Sequence, residues 1–495
     1  MPSHTDSHQQ HLRRGFNWLG GAMIIAKATD FGTIVGVLLF LTKEQVGVAS
    51  LVIAVGVLIE ALDGLGTSAA LVQAQSLSRL QLDTLFWFIG GSALLVAAAT
   101  LVAAPWLGAL YGVAGMSTYF VAVAIKQPLV GAAVIPLAMM NRDLQYERIA
   151  IVNVGATLAT ALTRLGLAVL GAGAWAIVAA DAAGGFYTLA GALLAKPFRP
   201  RFRYRMSAIS PLVRFGLRAM TSNVFDQTLS NIDYLLVGRF YGAPALAVYR
   251  VAFEVAMQPA IAAGTLINRA ALPVFAKVAG TPARLAQSLT WSLRRLAVMV
   301  APLAAALMLA AGPITRLIHD TQGHSYAAAG LPLKLLAAAA LPRIVAQLLY
   351  PLLLGSGRPK VAARLAAATV FLLTAGFVFV GLEFPARAGI VGMAAVWLAV
   401  YPLLLIWEAG YLRRHWDIRP GTLARAMLAP LVAAVLLVLM VEVVRWVVGG
   451  TNPWFQLAVV LTALALAYGG LFLHARQPLL RRRFALGDSG DRVQP

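Results

Sequence analysis

The chain of 495 residues has no cysteine. Disulfides, thiolate metal sites and cysteine nucleophiles are therefore excluded. Charge is also scarce. Asp, Glu, Lys and Arg make up 12% of the residues, about half the share found in soluble globular domains. Acidic side chains are the scarcest, 19 against 40 Lys and Arg, which leaves a net charge of +21. A hydrophobic content of 60% on so little charge excludes both an ordinary soluble enzyme and a disordered chain. Catalytic signatures are missing as well. There is no G-x-x-x-x-G-K-[ST] phosphate loop, no H-E-x-x-H, and no G-x-S-x-G between a strand and a helix. His4, His8 and His11 sit in a polar N-terminal stretch and read as part of a tail, not as a metal site. The chain is expected to hold no catalytic residue, no metal and no cofactor.

What the chain does have is long apolar runs. A helix crosses the hydrocarbon core with about 20 mostly apolar residues. Fourteen such segments follow one another, from 16–41 to 454–474. None alternates apolar and polar residues as a barrel strand would, and lipid offers no partner for open backbone groups, so the spans are predicted to be helices. The fold class is all-α and polytopic. The first span carries Lys27 and Asp30 and is too long for a cleaved signal peptide.

The positive charge is placed unevenly. With fourteen spans the two termini share a side. On that side fall Arg13, Arg14, Arg79, Arg142, Arg148, the run Lys196 to Arg205, Arg413, Arg414 and Arg481 to Arg483. The opposite loops hold little beyond Lys43, Arg239 and Arg387. By the positive-inside rule the termini are cytoplasmic. The excess charge thus marks topology, not nucleic acid, and the 196–205 run also suits anionic lipid headgroups. The expected organisation is a tail at 1–15, a six-helix lobe at 16–195, a basic linker at 196–210 and a second six-helix lobe at 211–411. A basic loop at 412–425, two further helices in 426–474 and a tail at 475–495 complete it.

A weak internal repeat supports two lobes. VGVASLV at 46–52 aligns with LAVYRVA at 246–252, an offset of 200, and AALVQA at 69–74 aligns with AALPVFA at 270–276. Six helices is an even number, so the lobes would share orientation and be related by a pseudo-two-fold along the membrane normal.

A charge at bilayer depth costs roughly 2.5–3.5 kcal/mol on insertion scales, so each should face a bundle interior or a wet cavity. Lys27 and Asp30 share a face of span 1, and Arg250 and Glu254 share one of span 8. Glu60 and Asp63 are like-signed and need partners elsewhere; Lys126 and Asp181 are single charges in spans 4 and 6. Polar stripes run through span 5 (Asn153, Thr157, Thr160, Arg164), span 7 (Asn223, Asp226 or Gln227, Ser230, Asp233) and span 10 (Arg343, Gln347, Tyr350). The competing reading of each residue is simple helix packing.

Several stretches resemble one known family. They are SNIDYLLVGRFYGAPALAVYRVAFEVAMQP at 230–259, NRDLQYERIA at 141–150, LDGLGTSAALVQ at 62–73, GAGAWAIV at 171–178 and GSGRPKVAAR at 355–364. Together they are similar to the bacterial polysaccharide transporter (oligosaccharide flippase) family of the multidrug/oligosaccharidyl-lipid/polysaccharide exporter superfamily. The departure is Leu-Ala-Val-Tyr at 246–249, where the family usually has Leu-Gly-Leu-Tyr. The resemblance implies two six-helix lobes plus two helices. It implies transfer of a polyprenyl-diphosphate-linked oligosaccharide across the membrane by alternating access, for exopolysaccharide, capsule or O-antigen. The partners it implies are that substrate, membrane lipid, and a polysaccharide polymerase with its export machinery.

A diphosphate calls for cations, and Lys27, Lys126, Arg164, Arg250 and Arg343 are the candidates. Asp30, Asp63, Asn153, Asp226, Asp233 and Glu254 are the accompanying polar and acidic groups. A cation-coupled multidrug exporter of the same superfamily is the alternative, disfavoured by the number of deep cations. A membrane polymerase or glycosyltransferase is more remote, because no long outer loop carries carboxylates.

Overall fold

The computed structural model describes residues 4–62, 66–74, 76–448 and 452–487. Among these the regular structure is helical. In chain order the helices are α1 (His4–Leu38), α2 (Lys43–Glu60), α3 (Thr67–Gln73), α4 (Arg79–Tyr111), α5 (Met116–Arg142), α6 (Tyr146–Val169) and α7 (Trp175–Ala195). Then come α8 (Met206–Val278), α9 (Pro282–Leu317), α10 (Gly330–Gln347), α11 (Leu349–Gly355), α12 (Pro359–Glu383), α13 (Ala386–Trp416), α14 (Pro420–Val448) and α15 (Pro453–Gly487).

Twelve of the described helices are long and apolar enough to cross a membrane, α10 and α11 counting as one. Two more crossings complete the expected fourteen. Helix α2 has an apolar centre and carries Lys43, Glu44 and Glu60 at its ends. Helix α8 has 73 residues, about 110 Å at 1.5 Å per residue, far more than one crossing needs. It is two helices joined at Gly242, whose φ of 81° and ψ of 174° no helix accommodates. That conformation is open to glycine and strained for other residues. The chain is a multi-pass membrane protein, and its surface agrees: Trp446 is 86% exposed and Leu194 84%, side chains that lipid solvates and water does not.

Helix α1 begins at His4 and α15 runs to Gly487, so both polar ends of the chain are helical over part of their length. Where helices start at the membrane edge, the local chemistry is readable. Thr42 and Gln45 form a reciprocal capping box on α2, and Ser78 and Gln81 form another on α4, each satisfying backbone donors that open helix ends leave over.

The chain divides into two compact units. The first comprises residues 1–250, 318–324 and 381–386; the second comprises 251–317, 325–380 and 387–495. In the first, α5 packs on α4 and α7, and α6 on α1 and α7. Helix α2 crosses α8 at backbone contact. A Cβ added at Gly47 would run into the backbone carbonyl of Ala243, and one at Gly238 into the Leu51 side chain. Beyond Gly242 the chain is tied back, because the Tyr249 hydroxyl donates to the Asp233 carboxylate at 3.0 Å. In the second unit α9 is the centre, packed on α10, α14 and α15. Small residues make that approach close: Ala301, Ala305, Ala306 and Ala310 meet Ala434, Leu437, Val441, Val460 and Ala463.

Between α9 and α10 the chain leaves the helices and turns around Asp320. Its Oδ1 accepts from the backbone N–H of His324 at 2.8 Å and of Gln322 at 3.0 Å. Burial opposes ionisation of this carboxyl. The two backbone donors, with the charges of His324 and Lys43, outweigh it and hold the pKa below the ordinary 3.8. A depressed carboxylate pKa stabilises the folded turn above the unfolded value and ceases to do so as pH falls through the folded one. Amide exchange at residues 320–324 is therefore expected to accelerate as pH drops below 3.8. Asp320→Asn should remove that pH dependence; a turn that opens identically in both proteins would refute the role.

Candidate functional site

The first unit holds two charge clusters among its helices. In one, Lys126 of α5 lies between Glu60 of α2 and Asp181 of α7, with Nζ 2.6 Å and 2.7 Å from their oxygens. Three helices thus meet on one ammonium group. Two carboxylates bracket the one lysine. Lys126 is therefore already satisfied by protein groups, and its chemistry is that of a clamp between helices.

The second cluster joins α1 to α6, helices that pack along each other. Asp30 of α1 lies close enough to both Arg164 of α6 and Lys27 of its own helix to interact with their charges. The i,i+3 spacing of Lys27 and Asp30 is thus one side of a three-residue group. Lys27 is exposed, and Asp30 and Arg164 are partly buried. Arg250 donates from Nη1 to the Ser50 hydroxyl at 2.7 Å. Positions 50 and 250 are also the pair that the sequence offset of 200 aligns.

The acidic and polar candidates are distributed differently. Asp233 is fully buried, accepting from the Tyr249 hydroxyl and, at 2.9 Å, from the Tyr234 backbone N–H. Its carboxylate is engaged in closing α8 on itself. Asn153 and Asp226 are exposed, and Glu254 is partly buried. Asp63 lies outside the described residues.

Arg343 is the candidate in the second unit. It is 5% exposed. Its guanidinium carbon lies 4.5 Å from the centroid of Trp397 and 5.6 Å from that of Phe253. Trp397 in turn stacks on Tyr401 at 5.9 Å and meets Phe377 at 5.6 Å. The sequence reading did not single out these rings. A signal existed: Trp397, Tyr401, Leu404 and Glu408 are spaced 4, 3 and 4 along α13 and all are buried, one face of a helix with a carboxyl at its end. It also named Glu60 and Asp181 without joining them to Lys126, because spacing along one helix says nothing of partners on another.

The basic linker is fastened to the first unit through its backbone. The Trp87 indole donates to the Arg201 carbonyl at 2.9 Å, and the Arg201 and Arg205 N–H groups donate to Asp83 and Thr84, both at 3.2 Å. Arg79 donates to the Arg199 carbonyl. Phe198 is buried among Leu71, Leu85 and Ile135, and Phe202 stacks on Trp87 at 4.7 Å. The Lys196 ammonium pairs with Asp143 at 2.6 Å.

Residues 39–327, more than half of the chain, match the family described as polysaccharide biosynthesis protein. The chain belongs to that family. The polysaccharide transporter resemblance of the sequence is borne out. Over 398 residues the chain is 22% identical to the lipopolysaccharide biosynthesis protein WzxC of Escherichia coli (strain K12), covering 78% of this chain and 77% of that one. It is also 22% identical over 306 residues to the succinoglycan biosynthesis transport protein ExoT of Rhizobium meliloti (strain 1021), covering 61% and 62%.

Among solved structures, the lipid II flippase MurJ in an inward closed conformation matches with a TM-score of 0.75 at 11% identity, over 93% of this chain and 99% of that one. An inward-facing multidrug resistance transporter of the MATE family matches with a TM-score of 0.60 at 13% identity, over 78% and 94%. At such identities the likeness is one of fold, and the fold is that of the superfamily the sequence resembles.

Proposed function

We propose that this protein carries a polyprenyl-diphosphate-linked oligosaccharide from the cytoplasmic to the outer leaflet of a bacterial inner membrane. The observation that carries the reading is the family membership of a chain that keeps Lys and Arg side chains at membrane depth in charge clusters. Relatives named for lipopolysaccharide biosynthesis and succinoglycan transport support it. Such cations are costly in lipid and are kept where they meet charge or water. Lys27, Arg164 and Arg250 supply positive charge for a diphosphate, with Asn153 and Asp226 available to sugar hydroxyls. Lys126, engaged by Glu60 and Asp181, holds helices together instead. In this reading the termini are cytoplasmic, following the arginine bias of the loops, and alternating access moves the head while the lipid tail stays in the bilayer. The product feeds exopolysaccharide, capsule or O-antigen assembly through a polymerase and export machinery.

A clean deletion tests this. The expected result is loss of surface polysaccharide together with accumulation of a lipid-linked saccharide, both reversed by the wild-type chain. A deletion strain that loses polymer yet accumulates no such intermediate would overturn the reading.

A further inference from the structure

The basic linker, residues 196–205 between α7 and α8, is fixed without the use of its arginine side chains. Its carbonyls and N–H groups are taken by Arg79, Asp83, Thr84 and Trp87 at the start of α4. Arg199, Arg201, Arg203 and Arg205 are all exposed, and none of them pairs with a carboxylate among the described residues. The acids at the points of attachment are already used. Asp83 is fully buried and pairs with Arg79 at 3.2 Å, and Asp143 pairs with Lys196 at 2.6 Å. No acidic residue occurs in the sequence from 196 to 225. Two rings stand among these cations. Phe202 is 90% exposed although it stacks on Trp87, and Tyr204 is 58% exposed.

The attachment sets the depth of this strip. Helix α4 has 33 residues, about 50 Å of helix against a hydrocarbon core of about 30 Å. The anchors fall between Arg79 and Trp87, the first ~12 Å of its rise. The surplus length places them, and the linker with them, in the headgroup layer, where amphipathic rings gather. Topology alone calls for positive charge on a loop. It does not call for a backbone bonded in place, or for an exposed phenylalanine among the arginines.

We propose that residues 196–205 form a docking strip for anionic phospholipid, with phosphodiester oxygens on the four arginines and with Phe202 and Tyr204 set into the base of the headgroup layer. The proposal is independent of the transported substrate and needs only that α4 and α7 cross the membrane. Arginine takes phosphodiester oxygens through charge-assisted hydrogen bonds, and a basic segment beside a membrane is drawn to its negative surface potential. Because the backbone is already fixed, binding orders side chains only, which lowers its entropic cost. The rings favour lipid over a soluble acidic protein, since a purely electrostatic partner would leave them in water.

The lack of native cysteine allows a single fluorophore on Ser207→Cys, an exposed position at the end of the linker, in the purified full-length protein. The probes are short-chain phosphatidylglycerol and phosphatidylcholine. The labelled chain with its arginines intact is expected to bind phosphatidylglycerol about tenfold or more tightly than phosphatidylcholine, and salt should erode the difference. Arg201→Gln should weaken phosphatidylglycerol binding about fivefold. Gln at all four arginines should bring it down to the phosphatidylcholine level, whereas Lys at all four should keep the preference. Phe202→Ser should weaken both lipids alike. Melting temperatures should match across the set, because the attachments run through the backbone.

Equal binding of the two lipids by the intact linker, or an unchanged preference in the quadruple Gln variant, would overturn the proposal. Arg201→Gln and the quadruple Lys variant decide the matter if the quadruple Gln variant is not recovered folded: equal phosphatidylglycerol affinity in Arg201→Gln and the intact linker would overturn it too. So would displacement of the lipid by polyglutamate at a lower concentration than phosphatidylglycerol itself requires, which would make the strip a surface for acidic protein.

Discussion

Lys126→Met is expected to be among the most destabilising single substitutions in the membrane helices. The ammonium group is bracketed by Glu60 and Asp181 at 2.6 Å and 2.7 Å, and the three side chains are 12%, 25% and 29% exposed. That is buried enough for removal of the lysine to leave two carboxylates facing each other with only partial solvent screening. Breaking a buried pair from one side costs roughly 3–5 kcal/mol. Three helices, α2, α5 and α7, depend on the same group, so the loss should show as a lower melting temperature and a reduced yield of monodisperse protein in detergent. Neutralising all three residues, Lys126→Met with Glu60→Gln and Asp181→Asn, should recover most of the stability, because no charge then remains to be compensated. A single variant as stable as wild type would show that the trio is not a clamp.

The second large effect is expected at Gly47. A Cβ there would collide with the backbone carbonyl of Ala243, and a backbone cannot rotate aside as a side chain can. Ordinary overpacking costs about 1–3 kcal/mol; here relief requires α2 to move away from α8, which also lengthens the Arg250–Ser50 hydrogen bond. Gly47→Ala should therefore yield little folded protein. Gly90→Ala on α4 is the matched control, since an added Cβ there meets nothing within 4 Å, and it should behave as wild type. Size-exclusion profiles of the two variants make the comparison; equal recovery would refute a backbone-contact crossing.

Much of the fold was legible because the bilayer imposes one strong rule. Apolar length predicts a crossing, and the fourteen segments correspond to fourteen helical crossings. The join inside α8 is harder to read. Residues 237–244 contain Gly238, Arg239, Tyr241 and Gly242 and suggest a loop, yet helix continues on both sides of a single non-helical glycine. One residue is enough where Tyr249 and Asp233 close the join from the side.

The candidate site was legible in part. Isolated charges in apolar helices stand out in a sequence, so Lys27, Lys126, Arg164, Arg250 and Arg343 were all found. Their partners were not, because those depend on which helices are neighbours. Asp30 reads as the companion of Lys27 from spacing alone, while Arg164 of a neighbouring helix shares it. Asp233 reads as a cavity acid and is consumed by Tyr249 and Tyr234. The rings around Arg343 were hidden for a different reason: aromatic residues in an apolar helix look the same whether they face lipid or a cation.

The fastening of the basic linker sets what can vary among its residues. Its attachments run through carbonyls and N–H groups of Arg199, Arg201 and Arg205, which every residue but proline supplies in full. The residues that recognise it are elsewhere: Asp83, Thr84, Trp87 and the pocket that takes Phe198. Mutational drift is therefore confined to opposite sides of the contact. The receiving side chains on α4 are held by shape and bonding, while the side chains of Arg199 and Arg201 take no part in the attachment. Lysine can replace them one by one without altering the fold, and the linker can change its spelling while keeping its position on α4.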